Sequence, residues 1–125
     1  MKVAELMQAN LKTISADSTL ADAVADLAEA QISALPVVDR FGRAVGVLST
    51  REVLKAESEA IDHETKVLEI MAPWPTTIDP DLDVRQAAQE MLYLNVQRLF
   101  VEYDGALVGV ISQTDIVGAV GTSRV

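Results

Sequence analysis

The chain lacks cysteine, has few aromatic residues and contains no long hydrophobic run. Because none of its 125 residues is cysteine, a disulfide framework, a thiolate metal site and a cysteine nucleophile are all excluded. No segment approaches the roughly 18 consecutive apolar residues of a membrane span. Residues 1–5 also lack the basic region followed by an apolar run that marks a signal peptide. We therefore expect a soluble, cytoplasmic protein that does not insert into membranes.

Clustered positive charge is also lacking. The formal net charge is −9, and the 10 basic residues are scattered along the chain. Non-specific nucleic-acid binding depends on a cationic surface that neutralises phosphates, so this composition argues against a nucleic-acid partner. A small anionic ligand is still compatible, provided that a local cation or a helix N-terminus counters the acidic field.

Patterns typical of catalysis are missing as well. His63, the single histidine, lies in a charged segment without a cluster of other metal ligands. Ser49 and Ser112 have no histidine or lysine base at a recognisable spacing, and no glycine-rich phosphate loop is present. The sequence thus predicts a protein that is not an enzyme and that requires no metal or cofactor.

An internal repeat dominates what the sequence does contain. The recurring residues are Met7/Met71, Thr13/Thr77, Ala23/Ala87 and Leu35/Leu99, each pair 64 positions apart. Past the turn at Phe41-Gly42 the offset becomes 63, so that residues 46–49 recur as 109–112. Loops absorb such a deletion more easily than strands do. Each copy is small enough to be marginal alone, so we expect the two to pack as a pair.

Copy one alternates between helical and strand periodicity. A helix is predicted from Leu20, because apolar residues recur at helical spacing after the capping residues Ser18 and Thr19. Strands are predicted at residues 12–14, 35–39 and 44–48, the last two as a hairpin, and a second helix follows Ser49. The residues expected to face inward are Leu20, Val24, Leu27 and Ala28 on the first helix and Val53 and Leu54 on the second.

Copy two repeats this order of elements. Asp104-Gly105 between two apolar runs is a strong hairpin signal that joins residues 99–103 to residues 106–111. The other predicted elements are a strand at residues 76–78, a helix capped by Asp83 that ends near Tyr93, and a helix at residues 113–120. The charged residues 55–66 are predicted to form a helix tail and an exposed linker.

These elements carry residues that resemble the cystathionine-β-synthase domain, or CBS domain. The resemblance covers nearly the whole chain, twice and in order: residues 3–7, 13–14, 32–39 and 46–52 in copy one, and residues 67–71, 77–78, 96–101 and 109–115 in copy two. It implies an α/β (α+β) fold of tandem β-α-β-β-α repeats packed as a pseudo-twofold pair, called a Bateman module. Domain 1 would span residues 1–58, a linker residues 59–66 and domain 2 residues 67–125.

The resemblance also implies a regulatory function. Members of the family bind adenine nucleotides or adenosyl ligands in clefts between paired domains, and occupancy regulates an associated protein. We therefore expect a stand-alone sensor of AMP, ADP, ATP or S-adenosylmethionine. It would form a disk-shaped homodimer and modulate a partner protein through a ligand-dependent change in the cleft. The alternative is a structural or protein-interaction dimerisation module that binds no ligand.

One motif carries two possible roles. The family's ribose contact is an aspartate three positions after Ser or Thr, and a carboxylate can accept both hydroxyls of a diol. Ser112 and Asp115 match this pattern, whereas Ser49 is followed by Glu52, which is one methylene longer. The same spacing is a capping box, in which the acidic side chain returns to the helix N-cap. We favour capping for Ser49 and Glu52 and a ligand role for Ser112 and Asp115; the two roles are compatible.

Arg98 is the second candidate ligand-binding residue. Some family members have an arginine at this position that contacts the phosphates of the nucleotide. A guanidinium suits phosphate through its fixed fork of donors. An ion pair with Glu102 or Asp104 on the surface is an equally good interpretation of Arg98. Phe100 could stack on a base, but an aromatic residue in a central strand is better explained as core.

The first strand of each copy completes the candidate sites. In the family, main-chain groups of this strand meet the adenine edge, although a buried β-branched pair is also simply typical of a core strand. Copy one has alanine where copy two has Arg98, so it lacks that cation. We expect a better site in copy two and a weaker one in copy one. The better site comprises Thr77, Ile78, Arg98, Leu99, Ser112 and Asp115, and the weaker site Thr13, Ile14, Ala34, Leu35, Ser49 and Glu52.

Overall fold

A computed structural model describes residues 1–122, which divide into two compact units. One unit is Lys12–Pro75, and the other combines Met1–Leu11 with the chain from Thr76 onward. Each unit therefore contains most of one repeat together with the short segment that precedes the first strand of the other repeat. The division at residues 59–66 stays a prediction about the repeat in sequence, and residues 123–125 of its second domain lie outside the described residues.

The Lys12–Pro75 unit holds a four-stranded sheet and three helices. Its strands, in the spatial order β1-β2-β3-β4, are Ile14–Ser15, Ala34–Val38, Ala44–Ser49 and Ala72–Pro73. Strand β1 runs parallel to β2, and the other pairs are antiparallel. The helices are α1 Leu20–Ala30, α2 Thr50–Ser58 and α3 Val67–Ile70. A buried cluster that includes Ile14, Leu35, Val37 and Leu48 fills this unit.

The second unit holds a three-stranded sheet with two α-helices. Its strands β5 Thr77–Ile78, β6 Arg98–Tyr103 and β7 Ala106–Ser112 lie in that order, with β5 parallel and β7 antiparallel to β6. Helix α4 spans Val84–Leu94 and helix α5 spans Gln113–Gly121. The N-terminal segment belongs to this core, because Val3 is fully buried and its N–H donates to Leu82 at 2.8 Å. The mixed α/β architecture predicted from the sequence is confirmed.

The two hairpins show where the repeat lost a residue. Leu35 pairs with Leu48 and Val38 with Ala44, whereas the equivalent pairs in copy two are Leu99 with Ile111 and Glu102 with Leu107. The change of the repeat offset from 64 to 63 residues therefore lies inside the hairpin turn, which is one residue shorter in copy two. The equivalent bulges, between Val37 and Val38 and between Val101 and Glu102, are retained. Loops absorb a deletion that would disturb the register of paired strands.

The turns themselves differ in how they are held. In copy one the Asp39 carboxylate accepts the N–H groups of Arg43 and Phe41, each at 2.9 Å, and these bonds lower the pKa of Asp39. In copy two Asp104 and Gly105 have positive φ values of 53° and 78°. Such a pair of left-handed residues is the conformation that Asp-Gly adopts in a two-residue hairpin.

Helix boundaries follow local capping chemistry. Thr19 accepts the Asp22 N–H at 3.2 Å, and the Asp22 carboxylate accepts the Thr19 N–H at 3.1 Å, which forms a capping box. Asp83 accepts the Arg85 N–H at 2.8 Å, so it caps α4 as predicted. Helices α1 and α4 both end where a residue turns left-handed, at Gln31 and Asn95.

Several details of the sequence-based prediction are wrong. Strand β1 begins two residues later than predicted, at Ile14, and leaves Thr13 exposed before it. On α1 the buried residues are Leu20, Ala23 and Leu27, whereas Val24 and Ala28 are exposed. Leu54 is 69% exposed on α2 and only Val53 packs against the core. Adjacent residues on a helix point about 100° apart, so a short helix buries only one of them.

Residues 55–66 are more ordered than a free linker. Helix α2 ends at Ser58, and the main chain then bonds to the start of α1. Leu20 donates its N–H to Thr65 at 2.8 Å, and Ala21 donates to His63 at 3.0 Å. These bonds satisfy donors of the first helical turn that have no partner within the helix. Among the described helices, none has both the length and the apolarity needed to cross a bilayer.

The recurring Met and Gly residues form one close contact in each unit. A Cβ atom on Gly46 would lie 2.5 Å from Met71 Sδ and 2.7 Å from the carbonyl oxygen of Ala72. On Gly109 it would lie 2.7 Å from Met7 Sδ and 3.0 Å from the carbonyl oxygen of Gln8. Both glycines are buried. A side chain at either position would therefore separate the strand from the segment that packs beside it.

We predict that Gly46→Ala destabilises the protein by about 1–3 kcal/mol, because the added methyl group overpacks against a backbone carbonyl. Gly109→Ala should have a smaller effect, since its closest distances are longer. Gly118→Ala is the matched control, because a Cβ there meets nothing within 4 Å and alanine favours the helix. Urea denaturation measures all three. A Gly46→Ala protein as stable as the Gly118→Ala protein would contradict this packing role.

Candidate functional site

The residues predicted for the better site lie at one end of the three-stranded sheet. Strand β6 is central, with Thr77 of β5 paired to Phe100 and Ser112 of β7 paired to Arg98. Because β5 and β6 are parallel and β7 runs the other way, the start of β6 and the end of β7 lie together. Helix α5 begins immediately after Ser112 and brings Asp115 to the same end. The fold therefore brings all of these residues into one neighbourhood.

The two faces of this sheet carry different side chains. Ile78 and Leu99 are 9% and 3% exposed and belong to the core cluster. Thr77, Arg98 and Ser112 are half-buried, and strand alternation puts Arg98 on the face opposite to Leu99. Any contact of Ile78 or Leu99 with a ligand would therefore use main-chain atoms.

Phe100 and Glu102 share the face of Arg98 by the same alternation. Phe100 is 5% exposed, so it is buried as predicted, and it pairs with Thr77. The Thr77 hydroxyl donates to Glu102 Oε2 at 3.3 Å. Phe100 is not a member of the core cluster around Leu99.

Ser112 and Asp115 form a complete capping box. The Ser112 N–H donates to Asp115 Oδ2 at 2.8 Å, and the Asp115 N–H donates to Ser112 Oγ at 3.1 Å. The other carboxylate oxygen, Oδ1, accepts the side-chain amide of Gln8 at 3.3 Å. Asp115 is half-buried, so a polar group from outside the fold still has access to part of its carboxylate.

Ser49 and Glu52 form a tighter version of the same box. Glu52 Oε1 accepts both the Ser49 N–H and the Ser49 hydroxyl, each at 2.7 Å, and Ser49 Oγ accepts the Arg51 N–H at 3.2 Å. The extra methylene of glutamate lets the carboxylate fold back onto its own serine. The group is thereby committed to the helix cap more fully than Asp115 is.

The remaining residues of copy one reproduce the framework without its polar groups. Ala34 pairs with Ser49, as Arg98 pairs with Ser112. Ile14 and Leu35 are 5% and 0% exposed and belong to the core of their unit. Thr13 lies before β1 rather than in it. This end of the sheet therefore has no cation at the place that corresponds to Arg98.

Gln8 is a site residue that the sequence interpretation missed. It forms an isolated antiparallel bridge with Val110, two residues before Ser112. The available signal was its position after Met7, because the 64-residue offset that pairs Met7 with Met71 pairs Gln8 with Ala72. The unit that contains copy two therefore has a second polar group, and the other unit has alanine in its place. Among the described residues, no group of three or more His, Asp or Glu side chains is arranged to hold a metal ion.

A separate apolar groove lies between α4 and α5. Its lining consists of Ala88, Met91, Leu92, Gln113, Ile116 and Val117, around a volume of about 250 Å³. Leu92 is 78% exposed and Val117 is 68% exposed. Contiguous exposed apolar side chains of this kind are characteristic of interaction surfaces.

Two β-α-β-β-α units, each with a strand-to-helix junction closed by a serine and a carboxylate, define a duplicated α+β domain. The family model of the CBS domain matches residues 3–59 and 67–122. The chain belongs to the CBS domain family.

Three similar proteins illustrate the range of the family. A CBS domain-containing protein of Dictyostelium discoideum is 32% identical over 127 residues, covering 92% of this chain and 88% of its own. Inosine-5'-monophosphate dehydrogenase of Methanocaldococcus jannaschii is 30% identical across 93% of this chain, which spans only 23% of that enzyme. The crystal structure of CBSX2 in complex with AMP has 25% identity and a TM-score of 0.87, covering 99% of this chain and 98% of that one.

Proposed function

We propose that this chain is a regulatory module that binds an adenine nucleotide, with AMP as the first candidate, at the Arg98–Asp115 end of the sheet. The observation that carries the proposal is the pairing of Arg98 with Ser112, because it places the arginine on the strand position opposite the serine that forms a capping box with Asp115. A nucleotide presents a diol and a phosphate, and this end of the sheet offers one group for each. The similarity to CBSX2, a protein crystallised with AMP, supports the same ligand class.

Asp115 has the chemistry for the ribose. A carboxylate has about four acceptor positions, and the bonds from Ser112 and Gln8 occupy one on each oxygen. Each oxygen can therefore accept one further hydroxyl, so a vicinal diol fits both. A hydrogen bond to an ionised acceptor is stronger than one between neutral groups.

Arg98 has the chemistry for the phosphate. In a chain with a net charge of −9, an anionic ligand needs a local cation to offset the general repulsion. A planar guanidinium can donate two parallel hydrogen bonds to phosphate oxygens. Ala34 in copy one supplies neither donor nor charge.

The two copies are therefore proposed to differ in affinity. Glu52 Oε1 already accepts two hydrogen bonds at 2.7 Å from its own serine. A diol that spanned both oxygens of Glu52 would therefore have to compete with one of these bonds, because both acceptor positions of Oε1 are already in use. We infer that copy two provides the stronger site and copy one a weaker one.

Regulation requires that the ligand discriminate between conformations. A ligand that binds two conformations equally well shifts neither population, so the nucleotide must favour one arrangement of the cleft that the family forms. We propose that this change is passed to a partner protein whose identity is open. A non-catalytic role and a cytoplasmic location stay predictions.

We also propose that the module forms a homodimer through the groove between α4 and α5. Leu92, Tyr93, Val117 and Val120 are 59–85% exposed on these two helices. Burial of such side chains by a second copy would remove apolar area from water, which is the main driving force for stable association.

The second candidate function is a structural or protein-interaction module without a ligand. It is favoured by the capping boxes, since both carboxylates already have a structural role in helix N-termini. Nucleotides would then leave the melting temperature unchanged, because only binding to the folded state raises it.

Calorimetric titration with AMP, ADP, ATP and S-adenosylmethionine tests the proposal. We predict that Asp115→Ala weakens AMP binding about 10-fold or more, as expected for loss of hydrogen bonds to a charged group. Glu52→Ala removes the equivalent cap in copy one, so it controls for loss of helix stability and should change affinity less than about 3-fold. No heat with any ligand, in protein freed of bound molecules, would refute nucleotide sensing. Equal effects of the two substitutions would refute the ranking of the sites.

The role of Arg98 is tested by comparing AMP with adenosine. Arg98→Ala should weaken AMP binding about 10-fold, because charge-assisted bonds to phosphate are lost, while adenosine binding stays within about 2-fold. Arg85→Ala removes the same charge from an exposed position of α4 and should leave both affinities unchanged. Equal losses for AMP and adenosine in the Arg98→Ala protein would show that this arginine does not contact phosphate.

The oligomeric state is tested by sedimentation velocity. We predict that Leu92→Asp converts a dimer to a monomer, since it introduces a charge into an apolar surface that would be buried. Leu68→Asp, at a residue 52% exposed on α3 outside the groove, is the control and should remain dimeric. A wild-type monomer, or a Leu92→Asp dimer, would contradict the proposed interface.

A further inference from the structure

We propose that Gln8 is a positioning residue that makes the site selective for an intact ribose. By this proposal it orients the Asp115 carboxylate so that both oxygens face a 2′,3′-diol. The inference rests on the proposed nucleotide function and deepens it by naming the part of the ligand that is recognised. It concerns a residue 107 positions away from Asp115 in sequence.

The main chain of Gln8 is held firmly beside β7. Its N–H donates to the Val110 carbonyl at 2.8 Å, and the Val110 N–H donates back at 3.0 Å. The preceding residue, Met7, packs where a Cβ on Gly109 would lie only 2.7 Å from its sulfur. The side chain of Gln8 is exposed, but it starts from a backbone position that the sheet fixes.

Two donors act on the Asp115 carboxylate, one on each oxygen. Gln8 Nε2 donates to Oδ1 at 3.3 Å, and the Ser112 N–H donates to Oδ2 at 2.8 Å. The terminal torsion of an aspartate side chain is broad when nothing holds the group. Donors on both oxygens restrict that rotation, because turning the carboxylate would break at least one of the bonds.

An oriented carboxylate distinguishes sugars. With one acceptor position on each oxygen used internally, the remaining positions suit two neighbouring hydroxyls. A 2′-deoxyribose would leave one of these acceptors without a donor. A site built around a hydrogen-bonded hydroxyl discriminates strongly against an analogue that lacks it.

Copy one supplies an internal comparison. Ala72 lies beside Val47 of β3, as Gln8 lies beside Val110, but an alanine has no donor to offer a carboxylate. There Glu52 takes both of its bonds on one oxygen, from Ser49. The donor and the shorter carboxylate thus occur together in the same structural unit. This pairing is expected if Gln8 and Asp115 act as a unit.

The test measures the affinities of the full chain for AMP and 2′-deoxy-AMP by calorimetry. We expect Gln8→Ala to weaken AMP binding about 5- to 10-fold, in line with loss of one hydrogen bond to a charged group. Binding of 2′-deoxy-AMP should stay within about 2-fold, so that discrimination falls. Gln8→Glu keeps the size but replaces the donor with a carboxylate, and it should lose discrimination as well. Gln89→Ala, an exposed glutamine on α4, should change neither affinity.

Melting temperatures check that each variant folds, and none should shift greatly because the main-chain bonds of Gln8 persist. If AMP binds but Gln8→Ala weakens both nucleotides equally, or weakens neither, the role of Gln8 is refuted while the proposed function stands. If the wild-type chain binds no nucleotide, the proposed function fails and this inference fails with it.

Discussion

The close approach of two backbone segments at Gly46 and Gly109 is the constraint on which the rest of each unit depends. At both glycines a hairpin strand lies very near the segment that precedes the first strand of the other repeat. No Cβ atom fits between the two. Met71 and Met7 fill the space above them. The entering segments therefore add to the edge of each sheet, and the one that contains Met7 also carries Gln8 to Asp115. A packing requirement thus determines where a polar side chain meets the candidate site.

The junction between the last strand and the last helix combines structural and functional chemistry. In both units a serine and an acidic residue satisfy backbone donors that the helix leaves without partners. Glutamate returns fully to its own serine, whereas aspartate is shorter and accepts a second donor from Gln8. One methylene therefore separates a carboxylate with both hydrogen bonds on one oxygen from a carboxylate with one bond on each oxygen. Both units keep the fold, but only the unit that combines Met1–Leu11 with copy two contains Gln8, Arg98 and Asp115.

Features that depend on local chemistry could be predicted from the sequence. The Asp104-Gly105 hairpin and the Asp83 cap follow from backbone preferences at those positions, and the change of offset places the lost residue in the hairpin turn of copy two; the structure contains all three. The orientation of α2 could not be predicted, because Val53 and Leu54 are both apolar and only tertiary packing decides which one is buried. Strand β1 has two residues, so its register depends on β2 rather than on its own sequence.

The candidate site was only partly predictable, because one of its contacts depends on tertiary packing rather than on local sequence. Ser112 and Asp115 are three residues apart and form a recognisable motif. The approach of Gln8 to Asp115 depends on a strand-edge contact across 107 residues of sequence, and only the offset of the repeat hinted at it.

We propose that the fold is present twice and a competent nucleotide site once. Native mass spectrometry of ligand-free protein titrated with AMP counts the bound nucleotides directly. The account predicts one tightly bound AMP per chain, with a second appearing only at much higher concentration. Two AMP molecules bound per chain with equal affinity, or none at any concentration, would contradict it.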